Sequence, residues 1–342
     1  MSLGARTLTI VLVTLVTAFS VRRFLGLAIS REIVARPNRF AGSREHAVPY
    51  LGGPALFVVL LPALVVLATS APTGPDDHPE ARWIGTACVL AIGLLDDLRP
   101  LTVTQKSLAL LVVCSAYLVA VDPSDAINPL RLALELGFML LIVNAFNLVD
   151  VTDGLLIVVG CLAAIGLLGG SFLASPLNRI ECEVILGTLV AAFWFNRPPA
   201  RIYLGDAGAL PLGFLLSSLF LVGFSGSSDA VGLAHLGAFA IPLFEVALIA
   251  PARIHAGLSP FLGSPDHFAL RLHDQAGWSK ERVLVTTVAF GLFFLVWCYI
   301  PSRLIRGPVG VALGIESIVL AITAYRSCWR LAPLQRDPAG GT

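Results

Sequence analysis

Four stretches of the 342-residue chain place carboxylates, amides or histidine among apolar residues and glycines: Asp96-Asp97 in GLLDDLRP, Asn147, Asp150 and Asp153 in NAFNLVDVTDGL, Asp206 in FNRPPARIYLGDAGAL, and His267 in SPFLGSPDHFALRLH. Several Asp side chains converging with Asn make an all-oxygen set, which suits a hard cation, Mg²⁺ or Mn²⁺, bridging to substrate phosphates. Phosphoryl transfer needs such a cation, with Lys or Arg and helix N-termini directed at the phosphate oxygens. Lys106 and Arg201 are candidates for the basic groups. In the last stretch Ser264 can cap a helix, Pro265 fits its first position and Asp266 its first turn. His267 then stands near an N-terminus able to hold an anion, with Arg271 four residues on and on the same face.

Each stretch has a plainer reading. Asp96-Asp97 followed by Leu-Arg-Pro is, taken alone, a helix end beside a turn. Gly205 to Gly208 reads equally as a turn capping a helix, and His46, His78, His235, His255 and His273 read as loop or satisfied core histidines. NxxNxxDxxDG is denser, because residues three apart share one helical face. Glu245 lies within an apolar run and requires a partner, either structural or at the site.

The elements that must position these residues are membrane helices. The chain is 56% apolar and 13% charged, against about 25% charged in soluble domains, which excludes an ordinary cytosolic enzyme. Uncharged runs joined at their polar breaks give ten or eleven spans, near 5–23, 48–70, 81–95, 105–121, 130–148, 154–174, 183–196, 207–225, 231–252, 283–301 and 308–325. Irregular backbone cannot face lipid, so the expectation is an all-α, polytopic integral membrane protein, residues 1–342 forming one catalytic domain. The run from Thr7 to Val21 precedes Arg22-Arg23 rather than a cleavage site and reads as a retained first span. If it enters from outside, 17 of the 23 basic residues fall on the inner side, which assigns loops near 22–47, 96–104, 149–153, 197–206 and 253–282 to the cytosol. Four of those five loops carry the residues above. The site is therefore expected on the cytosolic face, whereas a transporter more often sets its ionisable groups in mid-span. The uncharged stretches ending at Asp96, Asp150 and Arg197 are 13, 14 and 13 residues long; each covers only about 20 Å, which would leave the acids at headgroup depth. Cys88, Cys114, Cys161, Cys182 and Cys298 lie in or beside apolar runs, form no CxxC pair and read as core fillers, and a net charge of +1 without a basic block predicts no nucleic-acid partner.

GLLDDLRPLTVTQKS, NAFNLVDVTDGL and FNRPPARIYLGDAGALPLG, in this order, resemble the successive signatures of the polyprenyl-phosphate N-acetylhexosamine-1-phosphate transferases, the resemblance running from about Pro37 to about Arg271. It implies a Mg²⁺-dependent exchange in the prokaryotic cytoplasmic membrane. A UDP-sugar and a polyprenyl (undecaprenyl) phosphate would give polyprenyl-diphosphate-sugar and UMP, a first membrane step in building a cell-envelope glycan, and a homodimer is compatible with it. Carried over by position, the resemblance implies that Asp96, Asp97 and Asp206 are catalytic and, with Asn147, hold the metal. It implies that Lys106 contacts phosphate, that Asn147, Asp150 and Asp153 serve the nucleotide and metal, and that Tyr203 stacks on uracil. The family's usual histidine cluster is reduced here to His267, followed by Phe268, Ala269 and Leu270, and His46 is only a loose match to a first-loop histidine. The alternatives are a transporter, or a scaffold of this family without catalysis. The CDP-alcohol phosphotransferases share DxxDG at Asp150 to Gly154 but expect a following Ala-Arg that is absent.

Overall fold

A computed structural model describes residues 3–35, 48–69, 77–122, 128–170, 172–227, 229–255, 257, 259, 266–299 and 308–330. It is all-α apart from one antiparallel ribbon pairing β1 (Val34–Ala35) with β2 (Val48–Pro49). The helices are α1 (Leu3–Ser30), α2 (Gly52–Ala68), α3 (Pro79–Leu98), α4 (Val103–Val121), α5 (Pro129–Val149), α6 (Leu155–Leu167) and α7 (Pro176–Asn196). They continue with α8 (Asp206–Ser225), α9 (Asp229–His235), α10 (Ala240–His255), α11 (Phe268–Leu270), α12 (Lys280–Tyr299) and α13 (Pro308–Arg330). Each expected apolar span falls on a helix. Among the described residues, five helical stretches are long and apolar enough to cross a bilayer, within 3–30, 103–121, 129–149, 206–225 and 231–255.

Local chemistry sets the helix starts. Proline occupies the first turn of α3, α5 and α7, where its missing N–H is not needed. Thr102 accepts from the Gln105 N–H while the Gln105 side chain accepts from the Thr102 N–H, a capping box that begins α4 after a four-residue connection from α3. That short connection places Lys106 beside the acids at the end of α3. The buried helix α8 is the hub: it packs on α3 and α5 most extensively, and also on α2 and α6. Outward-facing positions of α1 and α4, such as Leu8, Leu12, Leu15, Phe19, Leu108 and Val112, are apolar and exposed, as suits helices bathed in lipid.

Three expectations change. The helices ending near Asp96, Asp150 and Arg197 are 20, 21 and 21 residues long, or about 30 Å each, so they are not short. They run through Arg82, Glu135 and Glu181 because these charges pair side to side within the fold: Arg82 with Glu181 at 2.8 Å, and Glu135 with Arg131 at 2.9 Å. The span expected over 154–174 is a 13-residue helix ending at Leu167, and the one expected over 231–252 is broken into α9, a 3₁₀ turn at 236–239 and α10. Helix α1 continues to Ser30, so Arg22 and Arg23 lie on a helix rather than in a loop. Cys114, Cys182 and Cys298 are buried as expected of core fillers and Cys161 partly so, whereas Cys88 is exposed; Cys328 is buried too. His46, Ser264 and Pro265 lie outside the described residues.

Candidate active site

The ends of α3, α4 and α8 meet. Lys106 Nζ lies 2.8 Å from Asp96 Oδ2 and also contacts Asp206 Oδ2, so one ammonium bridges two carboxylates brought from three helices. These three side chains are 16–20% exposed, partly desolvated yet open to a ligand. The second oxygen of Asp96 accepts the Leu101 N–H at 2.6 Å, which fixes the turn between α3 and α4.

Asp97 faces the other way. Its two oxygens accept the Asp206 and Ala207 N–H groups, both at 3.0 Å, so it caps the N-terminus of α8 from a neighbouring helix. Burial, with added repulsion from Asp150 and Asp96, outweighs those two N–H bonds and pushes its pKa up to about 6. Both Asp97 oxygens are engaged on backbone here, which fixes the start of α8 and with it Asp206. Gly205 sits at φ +68, and a Cβ there would stand 2.6 Å from Asp97 Oδ2. Glycine is required both for the backbone angle and for the cap. A Cβ on Gly93 would likewise run into the Asp206 carbonyl, so glycine lets α3 approach the start of α8 closely.

The NAFNLVDVTDGL residues divide. Asn147 lies in the last turn of α5, and its carbonyl accepts the Asp150 N–H at 3.3 Å. Asp150 is the half-buried C-cap, near enough to Asp97 to raise its pKa. The helix stops at Val149, so the row of residues three apart does not continue to Asp153. Asp153 is buried instead, accepting the Ala200 N–H at 3.2 Å and pairing with Lys280 at 3.1 Å. It ties three chain segments together. Tyr203 is buried, and its backbone pairs with Pro49 and Gly52. Arg201 lies over the Phe195 ring and donates to the Trp194 carbonyl, so its guanidinium is held locally on α7.

The last stretch forms a buried knot. His267 is the N-cap of α11, which continues as a π turn over Arg271–Gln275. Its Nδ1 lies 2.6 Å from Glu245 Oε1, which answers the need of Glu245 for a partner. Arg271 donates to the Asp266 carbonyl at 3.0 Å, to Asp266 Oδ1 at 2.8 Å and to the Cys328 carbonyl at 3.0 Å. Arg271 therefore fastens this segment to α13. His235 behaves as the core histidine foreseen, buried and bonded to the Val231 and Gly169 carbonyls.

Two residues of structural weight were not singled out by the sequence. Asn196 accepts the Gly154 N–H at 3.0 Å and donates to the Ile202 carbonyl at 2.7 Å, joining the turns that carry Asp153 and Asp206. A buried amide at a helix end, just before Arg-Pro-Pro, was its available signal. Lys280 carried no signal beyond its charge.

A model of glycosyl transferase family 4 matches residues 81–224, which hold Asp96, Lys106, Asn147, Asp150 and Asp206 and stop short of Glu245 and His267. Over these residues the chain is similar to this family. It is 33% identical over 251 residues to a putative glycosyltransferase of Streptomyces coelicolor, covering 71% of this chain and 58% of that protein. It is 25% identical over 335 residues to an undecaprenyl-phosphate alpha-N-acetylglucosaminyl 1-phosphate transferase of Yersinia pestis, covering 90% and 87%. It is 30% identical over 230 residues to a probable undecaprenyl-phosphate N-acetylglucosaminyl 1-phosphate transferase of Bacillus subtilis, covering 61% of each. Its long apolar helices mark a membrane protein, and the relatives it matches are bacterial.

Among the described residues, no group of three His, Cys, Asp or Glu side chains is gathered around one point. Mg²⁺ does not demand one, because it keeps several waters and uses one or two carboxylates together with substrate phosphates. Asp96 and Asp206, converging on one cation-sized position now filled by the Lys106 ammonium, fit that pattern in number, charge and donor type.

Proposed function

We propose that the chain transfers a sugar-1-phosphate, of the N-acetylhexosamine class, from a UDP-sugar to a polyprenyl phosphate, giving polyprenyl-diphosphate-sugar and UMP. The observation that carries this reading is the Asp96–Lys106–Asp206 cluster at the meeting of three helix ends, within the family-matched residues. The basic-residue asymmetry supports a cytosolic site in the cytoplasmic membrane.

Asp96 and Asp206 would hold Mg²⁺, which when bound neutralises charge on the phosphates. Lys106, with three rotatable donors, turns from the carboxylates to a phosphate oxygen. Asp97 and Gly205 keep the start of α8, and with it Asp206, in place. A phosphate monoester has its second pKa near 6, so the lipid phosphate is largely a dianion at neutral pH and needs no base. Its oxygen attacks the β-phosphorus of the UDP-sugar in line; the bond from that phosphorus to the bridging oxygen breaks, and UMP leaves with the electron pair. No covalent enzyme intermediate is needed.

The test is purified protein with Mg²⁺, undecaprenyl phosphate and a panel of UDP-N-acetylhexosamines. UMP release that requires the lipid and the metal together is the expected result. No turnover of any sugar nucleotide, with the Yersinia relative active alongside, would leave the scaffold or transporter reading.

A further inference from the structure

Helix α1 has one side packed and one side open. Val21 is buried with Ala55 and Ile202, and Phe24 and Leu25 pack against that cluster. On the open side Phe19, Arg22, Arg23, Gly26, Leu27 and Ser30 stand three or four residues apart, so they share a face. They are the described lining of a cavity of about 600 Å³. Before Phe19 the same side continues through Leu15, Leu12 and Leu8, all exposed. The far end of the helix sets the depth of this face. Arg6 pairs there with Glu183 of α7, and Arg22 follows sixteen residues later, about 24 Å of rise. With an arginine at each end able to extend its charged head, that run spans most of a hydrocarbon core of about 30 Å. Arg22 and Arg23 therefore emerge at headgroup depth, on the side that the basic-residue asymmetry assigns to the cytosol.

Other arginines are held within the chain. Arg197, Arg201 and Arg282 lie over aromatic rings, and Arg82, Arg131 and Arg271 pair with acids. Arg22 and Arg23 are exposed and have no ion pair, hydrogen bond or ring contact among the described residues. Gly26 stands one turn on from both. A Cβ there would meet nothing within 4 Å, so no packing inside the chain asks for glycine, which weakens a helix relative to alanine. Its missing side chain leaves backbone open beside two guanidiniums. We propose that this face binds an anionic phospholipid of the cytosolic leaflet, its phosphate at Arg22, Arg23 and Gly26 and its acyl chains along Phe19, Leu15 and Leu12. A guanidinium matches phosphate oxygens with paired N–H donors, whereas a zwitterionic headgroup brings its own cation against two arginines. A second copy of the chain fits less well: a two-fold contact here would set one Arg22-Arg23 pair against another, and none of the six lining residues is an acid.

Native mass spectrometry of the full-length protein in detergent, titrated with phosphatidylglycerol or phosphatidylcholine, tests the assignment. The wild type should retain one phosphatidylglycerol at concentrations where phosphatidylcholine is not retained. The double change Arg22→Gln, Arg23→Gln should weaken that binding about thirtyfold, the worth of two arginines at an anionic lipid surface. Gly26→Leu keeps both charges but fills the space, and should weaken it about tenfold. Arg326→Gln, at an exposed arginine of α13, should change it by less than about threefold. Equal retention of the two lipids by the wild type overturns the proposal, and that result needs no variant to fold. A loss in Arg326→Gln as large as in the double variant overturns it too, by showing attraction to overall charge. One-for-one displacement of phosphatidylglycerol by equimolar undecaprenyl phosphate would assign the face to that lipid instead. A dimer lost in Gly26→Leu with lipid binding unchanged would assign it to a second copy. Either result overturns the phospholipid site.

Discussion

The molecule holds two clusters of the same formal composition, two carboxylates around one base, at opposite ends of α3. At one end Asp77 and Glu181 surround Arg82; at the other Asp96 and Asp206 surround Lys106. Fourteen residues separate Arg82 from Asp96 on one helix, about 21 Å of rise. The Arg82–Glu181 pair is fully sealed, and Asn178, Ser175 and the Trp83 indole bond its acids further. The Lys106 cluster is 16–20% exposed, and its base is a point charge on a flexible stem. Sealing and a planar guanidinium make the first a fixed joint between α3 and α7. Access and a mobile ammonium make the second a place where an incoming cation or phosphate can exchange for existing partners.

That contrast predicts opposite responses to mutation. The largest effect on stability belongs to the sealed end: Glu181→Ala removes the carboxylate that pairs directly with the buried Arg82, at a cost of about 3–5 kcal/mol. Thermal unfolding in detergent should show it as a large fall in Tm, with kcat of the protein that remains folded close to normal. At the open end the order reverses. Asp206→Asn should leave Tm almost unchanged while lowering turnover on the order of a hundredfold, which is the loss of one charge-stabilising contact in the transition state.

Gly205→Ala tests the joint between the acid pair and α8. A residue other than glycine at this positive φ costs about 1–3 kcal/mol, and the added methyl meets Asp97, so both Tm and turnover should fall. The smallest effect is predicted for Arg201→Ala. Its guanidinium is held on Phe195 and the Trp194 carbonyl, so turnover should change by less than about threefold, as for surface changes worth under about 0.5 kcal/mol. A loss comparable with that of Asp206→Asn would show Arg201 reaching the phosphates after all.

The span pattern was legible in the sequence because bilayer burial leaves long uncharged runs that periodicity cannot disguise. The gathering of Asp96, Lys106 and Asp206 was legible as three motifs on one face, although their mutual contact was not. The difference between Asp96 and its neighbour Asp97 was hidden, because adjacent residues on a helix point in different directions and only the position of α8 decides which one caps it. Asp153, Tyr203 and Arg271 have the residue types of a site, and the fold uses them as fasteners. Such polar groups must be satisfied once they are buried, so a functional residue and a structural one look alike until their partners are known. Helix lengths were misjudged for the same reason: Arg82 and Glu181 interrupt an uncharged run but not a helix, because each neutralises the other.

The central claim is that Asp96 and Asp206 serve one cation at one site, and a double-mutant cycle measures it directly. Turnover of UDP-sugar to UMP is followed against Mg²⁺ concentration in Asp96→Asn, Asp206→Asn and the double variant. The account predicts that each single change lowers turnover on the order of a hundredfold and raises the Mg²⁺ concentration needed for half-maximal rate, with the second change adding less than about tenfold to the first, since groups acting as a unit are non-additive. Losses that multiply to about ten-thousandfold, with the Mg²⁺ dependence of each single variant unchanged, would contradict it.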